Sequence, residues 1–254
     1  MKIEACLVCV DYADYLEHTL PRNKDYFDDI AIVTVDRDEE TKKVCDDNGV
    51  RYVISDRLYE DDAKFNKGKA LNDGWNTMSR SDWLCTFDAD IILQDNFRDL
   101  IEKEELNPEC IHGTKRLKIR YYDDFLLWEK GIDIKMSKKD PCYASGFFQL
   151  FNIGSSRITD RDAIYPEEIT SALADIKFRS RWAEKWGEMS DEMIFLDTYI
   201  THVIHLPHHR HDLGDDVKCL RNWYGRKTLP FHMQTRPTKK KDESLDNIED
   251  MFGD

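Results

Sequence analysis

Two aspartates one residue apart, Asp88 and Asp90, follow the mostly apolar run Trp83–Phe87, and apolar residues resume at Ile91. A run of this length reads as a buried strand, parallel and covered on both faces. Ionised carboxylates at its end cannot be left desolvated and unpaired. They belong at the mouth of the strand, where open α/β sheets bind ligands. With only Ala89 between them, they suit a divalent cation bound to a diphosphate. A turn cap or a solvated loop also accommodates an Asp-x-Asp triplet, so the flanking residues must decide. Two further groups have chemical potential. Ser190-Asp191-Glu192 reads either as a helix start, with Ser190 as N-cap and the acids facing the dipole, or as the source of a general base. His202, His205, His208, His209 and His211 crowd one short stretch. Thr201–His208 reads as a strand ending in imidazoles, against the alternative of a polar loop.

The elements that must position these groups are legible in order. Residues 3–10 form a first strand, ending in the polar loop Asp11-Tyr12-Ala13-Asp14, and Tyr15–Leu20 a short helix stopped by Pro21. Asp29–Asp36 is a second strand. A helix opening on Asp38-Glu39-Glu40-Thr41 stops at Asn48-Gly49, and Val50–Ser55 is a third strand. Lys69–Met78 is helical and leads to the strand of the two aspartates. Strand–helix alternation at this spacing predicts a doubly wound α/β half, with Asp11, Asp36, Asp56, Asp88 and Asp90 at strand C-termini. Further on, a helix spans Asp95–Glu105. Strands over Cys110–Tyr122 carry Lys115, Arg116, Lys118 and Arg120, and Ala144–Asn152 is another strand. A helix begins at Pro166, and a second runs from Ser190 to about Leu196.

Composition sets bounds. The chain has 254 residues, 41% hydrophobic, enough for one large α/β domain or two small ones. No apolar run is long enough to span a membrane, and the N-terminus enters a strand without a signal-peptide layout. Seven cysteines without paired Cys-x-x-Cys units predict reduced thiols in a cytoplasmic protein. A net charge of −14 argues against a broad non-specific grip on nucleic acid.

Taken together, the motifs resemble the nucleotide-sugar glycosyltransferases of the GT-A fold, family 2 in particular, over roughly residues 1–212. The carriers are Cys6–Tyr12, Ile32–Asp38, Phe65–Gly74 (similar to the family's Lys-Gly-x-Ala-x-Asn-x-Gly), Asp88-Ala89-Asp90, Gly146–Gln149 and Trp186–Glu192. The resemblance implies an α/β, GT-A, Rossmann-like domain with a mixed sheet over 1–238. Its nucleotide-sugar half covers about 1–106 and its acceptor half about 107–238, and residues 239–254 form a flexible acidic tail. It implies Mn²⁺ or Mg²⁺ held by Asp88 and Asp90, with His205 or His208 completing the shell. A nucleotide-diphosphate sugar, UDP-linked, would meet Asp11, Asp36, Asp38, Asp88, Lys67, Lys69 and Asn72. Asp191, with Glu192 second, would be the base of an inverting reaction. A retaining reaction requires no such base.

The tail, Ser244–Gly253, resembles the C-terminal sliding-clamp-binding peptides of T4-like phage proteins; an ordinary acidic tail is the alternative. The clamp resemblance implies a bacteriophage DNA-modification enzyme in the host cytoplasm, with hydroxymethylated pyrimidine in DNA as acceptor. Tethering to a clamp would raise its effective concentration on DNA. A glycan or small-molecule acceptor is the rival. An inactive GT-A-fold adaptor and a nucleotidyltransferase are further rivals. The intact aspartate pair speaks against the adaptor, and the lack of an N-terminal glycine-rich loop speaks against the nucleotidyltransferase.

Overall fold

Among the described residues, the nine strands of the main sheet and six α-helices are laid down in an order set by local sequence. The structure, a computed structural model, describes residues 1–63, 65–119, 121–134, 136–139, 144, 146–168, 171–185, 188, 190–203, 220–221, 227–228 and 231–236. The first half comprises β1 (Ile3–Val8), α1 (Ala13–Asn23), β2 (Asp29–Thr34), α2 (Glu39–Asn48), β3 (Arg51–Ile54), α3 (Lys67–Asn76) and β4 (Trp83–Phe87). The second half comprises β5 (Ile91–Ile92), α4 (Phe97–Lys103), β6 (Ile111–Ile119), α5 (Tyr122–Glu129), β7 (Ser137–Lys139), β8 (Phe148–Asn152), α6 (Ser171–Arg179) and β9 (Met193–Val203). The sheet order is β3-β2-β1-β4-β8-β6-β9-β5, with β7 also paired to β6.

The apolar runs are continuous because alternate residues serve two cores. Ile3, Ala5 and Leu7 of β1 pack with Leu16 and Leu20 of α1, while Cys6 packs with Leu71 and Trp75 of α3. β3, β2, β1 and β4 are parallel. β8 runs antiparallel to β4 and β6, and β9 is parallel to β6. Leu84, Phe151, Ile111 and Met193 therefore lie across from one another, near the N-terminal end of β4. The Asp88–Asp90 turn lies at the opposite end. The five cysteines among the described residues are free and buried.

Four features differ from the sequence expectation. α1 continues through Pro21 to Asn23. Pro21 and Glu17, whose carbonyl the proline leaves without its helical donor, are both on the exposed side, where water can take the donor's place. The segment at Pro166 is not yet helical, and α6 begins at Ser171. Residues after Ser190 form β9 rather than a helix. Buried Leu196, Thr198 and Ile200 recur every second residue there, and β-branched and aromatic residues favour the pleat. α5 was not anticipated; its YDDFLLWE segment follows directly on β6.

α2 shows how one acid holds a whole connection. Asp38 is buried, accepts hydrogen bonds from Thr41 N (3.1 Å) and Thr41 Oγ1 (2.8 Å), and also receives Thr34 Oγ1 (3.2 Å) and Asp11 N (2.8 Å). Asp38→Ala strands two backbone donors and two hydroxyls, and should cost about 2–3 kcal/mol in chemical unfolding.

Candidate metal and donor site

The Asp88–Asp90 turn is held by backbone on one side and by α1 on the other. Asp88 N donates to Phe147 O (3.2 Å), and Ile91 N closes the turn on Asp88 O (3.2 Å). From α1, Thr19 Oγ1 donates to Ala89 O (2.6 Å). Asn23 Nδ2 donates to Ile91 O (2.7 Å), and its Oδ1 accepts from Leu93 N (2.9 Å). Asp90 is buried at 4% exposure and the Asp88 side chain is a quarter exposed.

Lys67 and Asp175 join this pair. Lys67 begins α3, where Asn66 Oδ1 caps the helix by accepting from Lys69 N (3.0 Å). The buried Lys67 ammonium lies 2.9 Å from Asp88 Oδ1, 3.0 Å from Gly146 O and 3.3 Å from Asp175 Oδ1. Burial alone would lower its pKa, but the carboxylates of Asp175 and Asp88 outweigh burial and hold it above the usual lysine value. Asp175 is pushed the other way for a carboxylate. Burial raises its pKa, and Lys67, shared with Asp88, only partly opposes the rise.

Proton counting agrees. Tyr165 Oη lies 2.6 Å from both Gln149 Oε1 and Asp175 Oδ1. Gln149 Nε2 donates to Ala144 O (2.7 Å), which fixes Oε1 as the atom facing the tyrosine. One hydroxyl has one hydrogen, so satisfying both short contacts places a proton on Asp175. Gly146 makes the approach possible, since a Cβ there would lie 1.7 Å from Asp175 Oδ2. Gly146→Ala should therefore dislodge Asp175 and lower kcat by about 10²-fold with a smaller change in KM, as read in steady-state kinetics.

Asp88 and the protonated Asp175 thus share the one Lys67 ammonium, and Asp90 adds a second carboxylate two residues from Asp88. This charge excess fits a divalent cation. Among the described residues no group of three or more His, Cys, Asp or Glu side chains encloses one. A hard cation bound with a nucleotide takes one or two protein carboxylates supplemented by water and substrate phosphates.

The other sequence candidates separate. Asp36 lies two residues past the end of β2, with its side chain 88% exposed and 3.8 Å from Lys42. Asp11 has φ +58° and forms a bidentate pair with Arg37 (2.7 and 2.9 Å), which pushes the guanidinium pKa up. Three candidates have other work. Asp38 is the buried cap described above. Lys69 pairs with Glu60 (3.0 Å) and Asp61 (2.9 Å), away from Asp88. Asn72 joins α3 to the chain at Tyr165, donating to Tyr165 O (2.9 Å) and accepting from Tyr165 N (2.8 Å).

Asp191 and Glu192 stand apart from the aspartate turn. They directly precede Met193, which lies level with Leu84. Leu84 is four residues short of Asp88, about 13 Å along the strand. Glu192 is paired with Arg157 (2.6 Å) at that far edge, so neither acid stands beside the aspartate turn. His205 and His208 lie outside the described residues. β9 is in register with β5, with His202 opposite Ile91.

Asp175 was missed, although its signal is present. Ala174, Phe178 and Trp182 form the apolar face of α6 and its continuation, and Asp175 sits among them as a buried acid. An aspartate on the core face of a helix has to be paired or functional.

No family model matches the sequence, and no curated protein matches it. Solved structures do. Glucosyl-3-phosphoglycerate synthase from Mycobacterium tuberculosis, in complex with Mn²⁺, UDP-glucose and phosphoglyceric acid, matches with a TM-score of 0.50 at 12% identity, over 91% of this chain and 88% of that one. A mycobacterial protein matches at TM-score 0.45 and 14% identity, over 80% of this chain, which spans 65% of that protein's length. Mannosyl-3-phosphoglycerate synthase from Rubrobacter xylanophilus matches at TM-score 0.37 and 18% identity, over 46% of this chain and 40% of that one. The fold is the mixed α/β fold of the GT-A glycosyltransferases.

Proposed function

We propose that this protein is a metal-dependent glycosyltransferase that moves a sugar from a nucleotide-diphosphate sugar, UDP-linked, to an acceptor hydroxyl. The observation that carries the reading is the gathering of Asp88, Lys67 and Asp175, with Asp90 two residues on, at the C-terminal end of the parallel half of the mixed sheet. Asp88 and Asp90 hold the cation, Mn²⁺ or Mg²⁺, with His205 or His208 as a further ligand. When bound, the cation neutralises the charge that develops on the departing diphosphate. Lys67 fixes the Asp88 carboxylate and adds positive charge on the donor side. Asp36 and the Asp11–Arg37 pair receive the base and ribose. Asp175 takes the proton of the acceptor hydroxyl, the role expected of a carboxylate in an inverting reaction. Its raised pKa makes it a stronger base whose ionised form is present only at higher pH. The rate of transfer should therefore rise with pH along an acid limb centred above the usual aspartate range, as read in kcat/KM profiles.

The acceptor reading rests on charge. Lys115, Arg116 and Lys118 of β6 run beside β7, whose Lys139 is opposite Arg116 and whose Lys138 is opposite Leu117. Arg116 lies 4.6 Å from the Phe147 ring, and the Phe147 carbonyl receives Asp88 N. A cationic ribbon beside the aspartates, on a chain of net charge −14, suits an acceptor that carries phosphate. Phosphorylated small alcohols and hydroxymethylated pyrimidines in DNA both meet that requirement. The clamp-like peptide at 244–254, which lies outside the described residues, favours DNA. Among the described residues no helix is long and apolar enough to cross a membrane.

The test is a transfer screen with Mn²⁺ and UDP-sugars, read by product mass. Its arms are duplex DNA with 5-hydroxymethylcytosine, the same DNA with cytosine, phosphoglycerate and a neutral oligosaccharide. A sugar-sized gain on a phosphate-bearing hydroxyl acceptor is the expected result. A gain on the neutral oligosaccharide alone overturns the acceptor reading. No turnover of any donor, with or without acceptor, overturns the enzyme reading.

A further inference from the structure

The face of α1 nearest the aspartate turn carries three buried polar residues four apart, Tyr15, Thr19 and Asn23. Residues spaced in this way lie above one another on one helix face. Asn23 holds the backbone at Ile91 and Leu93, and Thr19 holds it at Ala89. Tyr15 is one turn closer to the helix start and continues the row. The Tyr15 hydroxyl is held from outside the nucleotide-sugar half, accepting a hydrogen bond from Gln234 Nε2 (2.7 Å). Gln234 is itself only 2% exposed.

The segment bearing Gln234 is tied to both helices it touches. Phe231 N donates to Asp14 Oδ2 (2.6 Å), and the Phe231 ring stacks on Tyr15 at 4.7 Å and meets Phe125 at 5.1 Å. Gln234 O receives Tyr122 N (2.8 Å), and Arg236 pairs with Asp124 of α5 (2.5 Å). These contacts join a segment more than 200 positions away in sequence to the first turn of α1. Burial, together with the negative charges of Asp14 and Asp90, raises the pKa of the Tyr15 hydroxyl and keeps it protonated.

We propose that Tyr15 and Gln234 are positioning residues for the cation site at Asp88 and Asp90, and that Phe231–Arg236 is a working part of that site. The inference rests on reading the two aspartates as a cation site. Thr19 and Asn23 fix the turn's backbone, and the Gln234–Tyr15 pair locks the first turn of the same helix. Loss of the lock lets the row shift against the turn, so the carboxylates lose their preset spacing.

The test is Mn²⁺ affinity of the full chain in the presence of UDP, followed by the electron paramagnetic resonance signal of free Mn²⁺, with Tm measured alongside. Gln234→Ala and Tyr15→Phe should each weaken Mn²⁺ binding about tenfold. Tyr15→Phe keeps the ring on Phe231 and therefore the fold. The double variant should be no weaker than either single one, because the two residues act as a unit. Ile132→Ala, at an exposed residue outside that segment, should leave affinity unchanged. Unchanged affinity in both single variants overturns the inference and leaves the cation site standing. Wild-type protein that binds no Mn²⁺ overturns the cation site itself.

Discussion

Asp90→Asn should lower glycosyl transfer by about 10³-fold, a loss of roughly 4 kcal/mol in transition-state stabilisation. The substitution keeps the shape of the side chain and removes its charge. Asp90 is almost fully buried and follows Asp88 by two residues in a turn whose backbone is fixed by Thr19, Asn23 and Phe147. The turn should therefore keep its geometry. What disappears is one of the negative charges that make the mouth of the sheet attractive to a divalent cation. Unfolding temperature should hold or rise, because a buried carboxylate two residues from Asp88 is removed. Raising the Mn²⁺ concentration should recover part of the lost rate if the defect is in cation binding. A variant with normal kcat at ordinary Mn²⁺ concentration would remove the chemical role given to this turn.

Asp175→Asn should lower kcat by about 10²–10⁴-fold, the range of a lost general base, while leaving Mn²⁺·UDP affinity within about threefold of wild type. The acid limb of the pH profile should vanish with it. Stability should move the opposite way. The pKa of Asp175 is higher in the folded chain than in the unfolded one, mainly through burial. Its contribution to stability is therefore fully present below the unfolded pKa and is lost as pH rises through the folded pKa. Asn cannot ionise, so the variant should be more stable than wild type at alkaline pH, with the difference closing toward acid. Lys67 keeps Asp88 and the Gly146 carbonyl as partners in either case. Higher stability with lower activity is the pattern of a group kept for chemistry rather than for folding. Melting curves from pH 4 to 9 on both proteins, beside their kinetics, check the pair of signs.

β1, β2 and β4 of the parallel half were legible because they are buried on both faces, whereas β3 is a mostly exposed edge strand. Each reads as a mostly apolar run, and α2 between β2 and β3 is marked by its caps Asp38 and Gly49. The Asp88–Asp90 turn was legible for the same reason, as a charged interruption in a core strand. The second half was not legible to the same degree. β9 alternates and follows a Ser-Asp-Glu segment that has the local chemistry of a helix start, so its periodicity was read from the wrong end. The base then followed the motif to Asp191 and Glu192. Strand register instead sets them at the far edge of the sheet. Asp175 lies in a helix with no motif of its own. It becomes visible only when Tyr165, Gln149 and Lys67, distant in sequence, are brought around it. Lys69 and Asn72 share a motif with Lys67, yet helix geometry turns them to other partners. Spacing in sequence identified the helix and could not say which of its faces met the site.

In the proposed function the aspartate turn holds a cation through which the nucleotide diphosphate is bound. Calorimetric titration of UDP into the full chain tests it most directly, with Mn²⁺, with a chelator, and with the Asp88→Asn/Asp90→Asn double variant in Mn²⁺. The account predicts UDP binding in Mn²⁺ that weakens at least about tenfold with chelator and by a similar factor in the double variant. Equal affinity in all three titrations would contradict it.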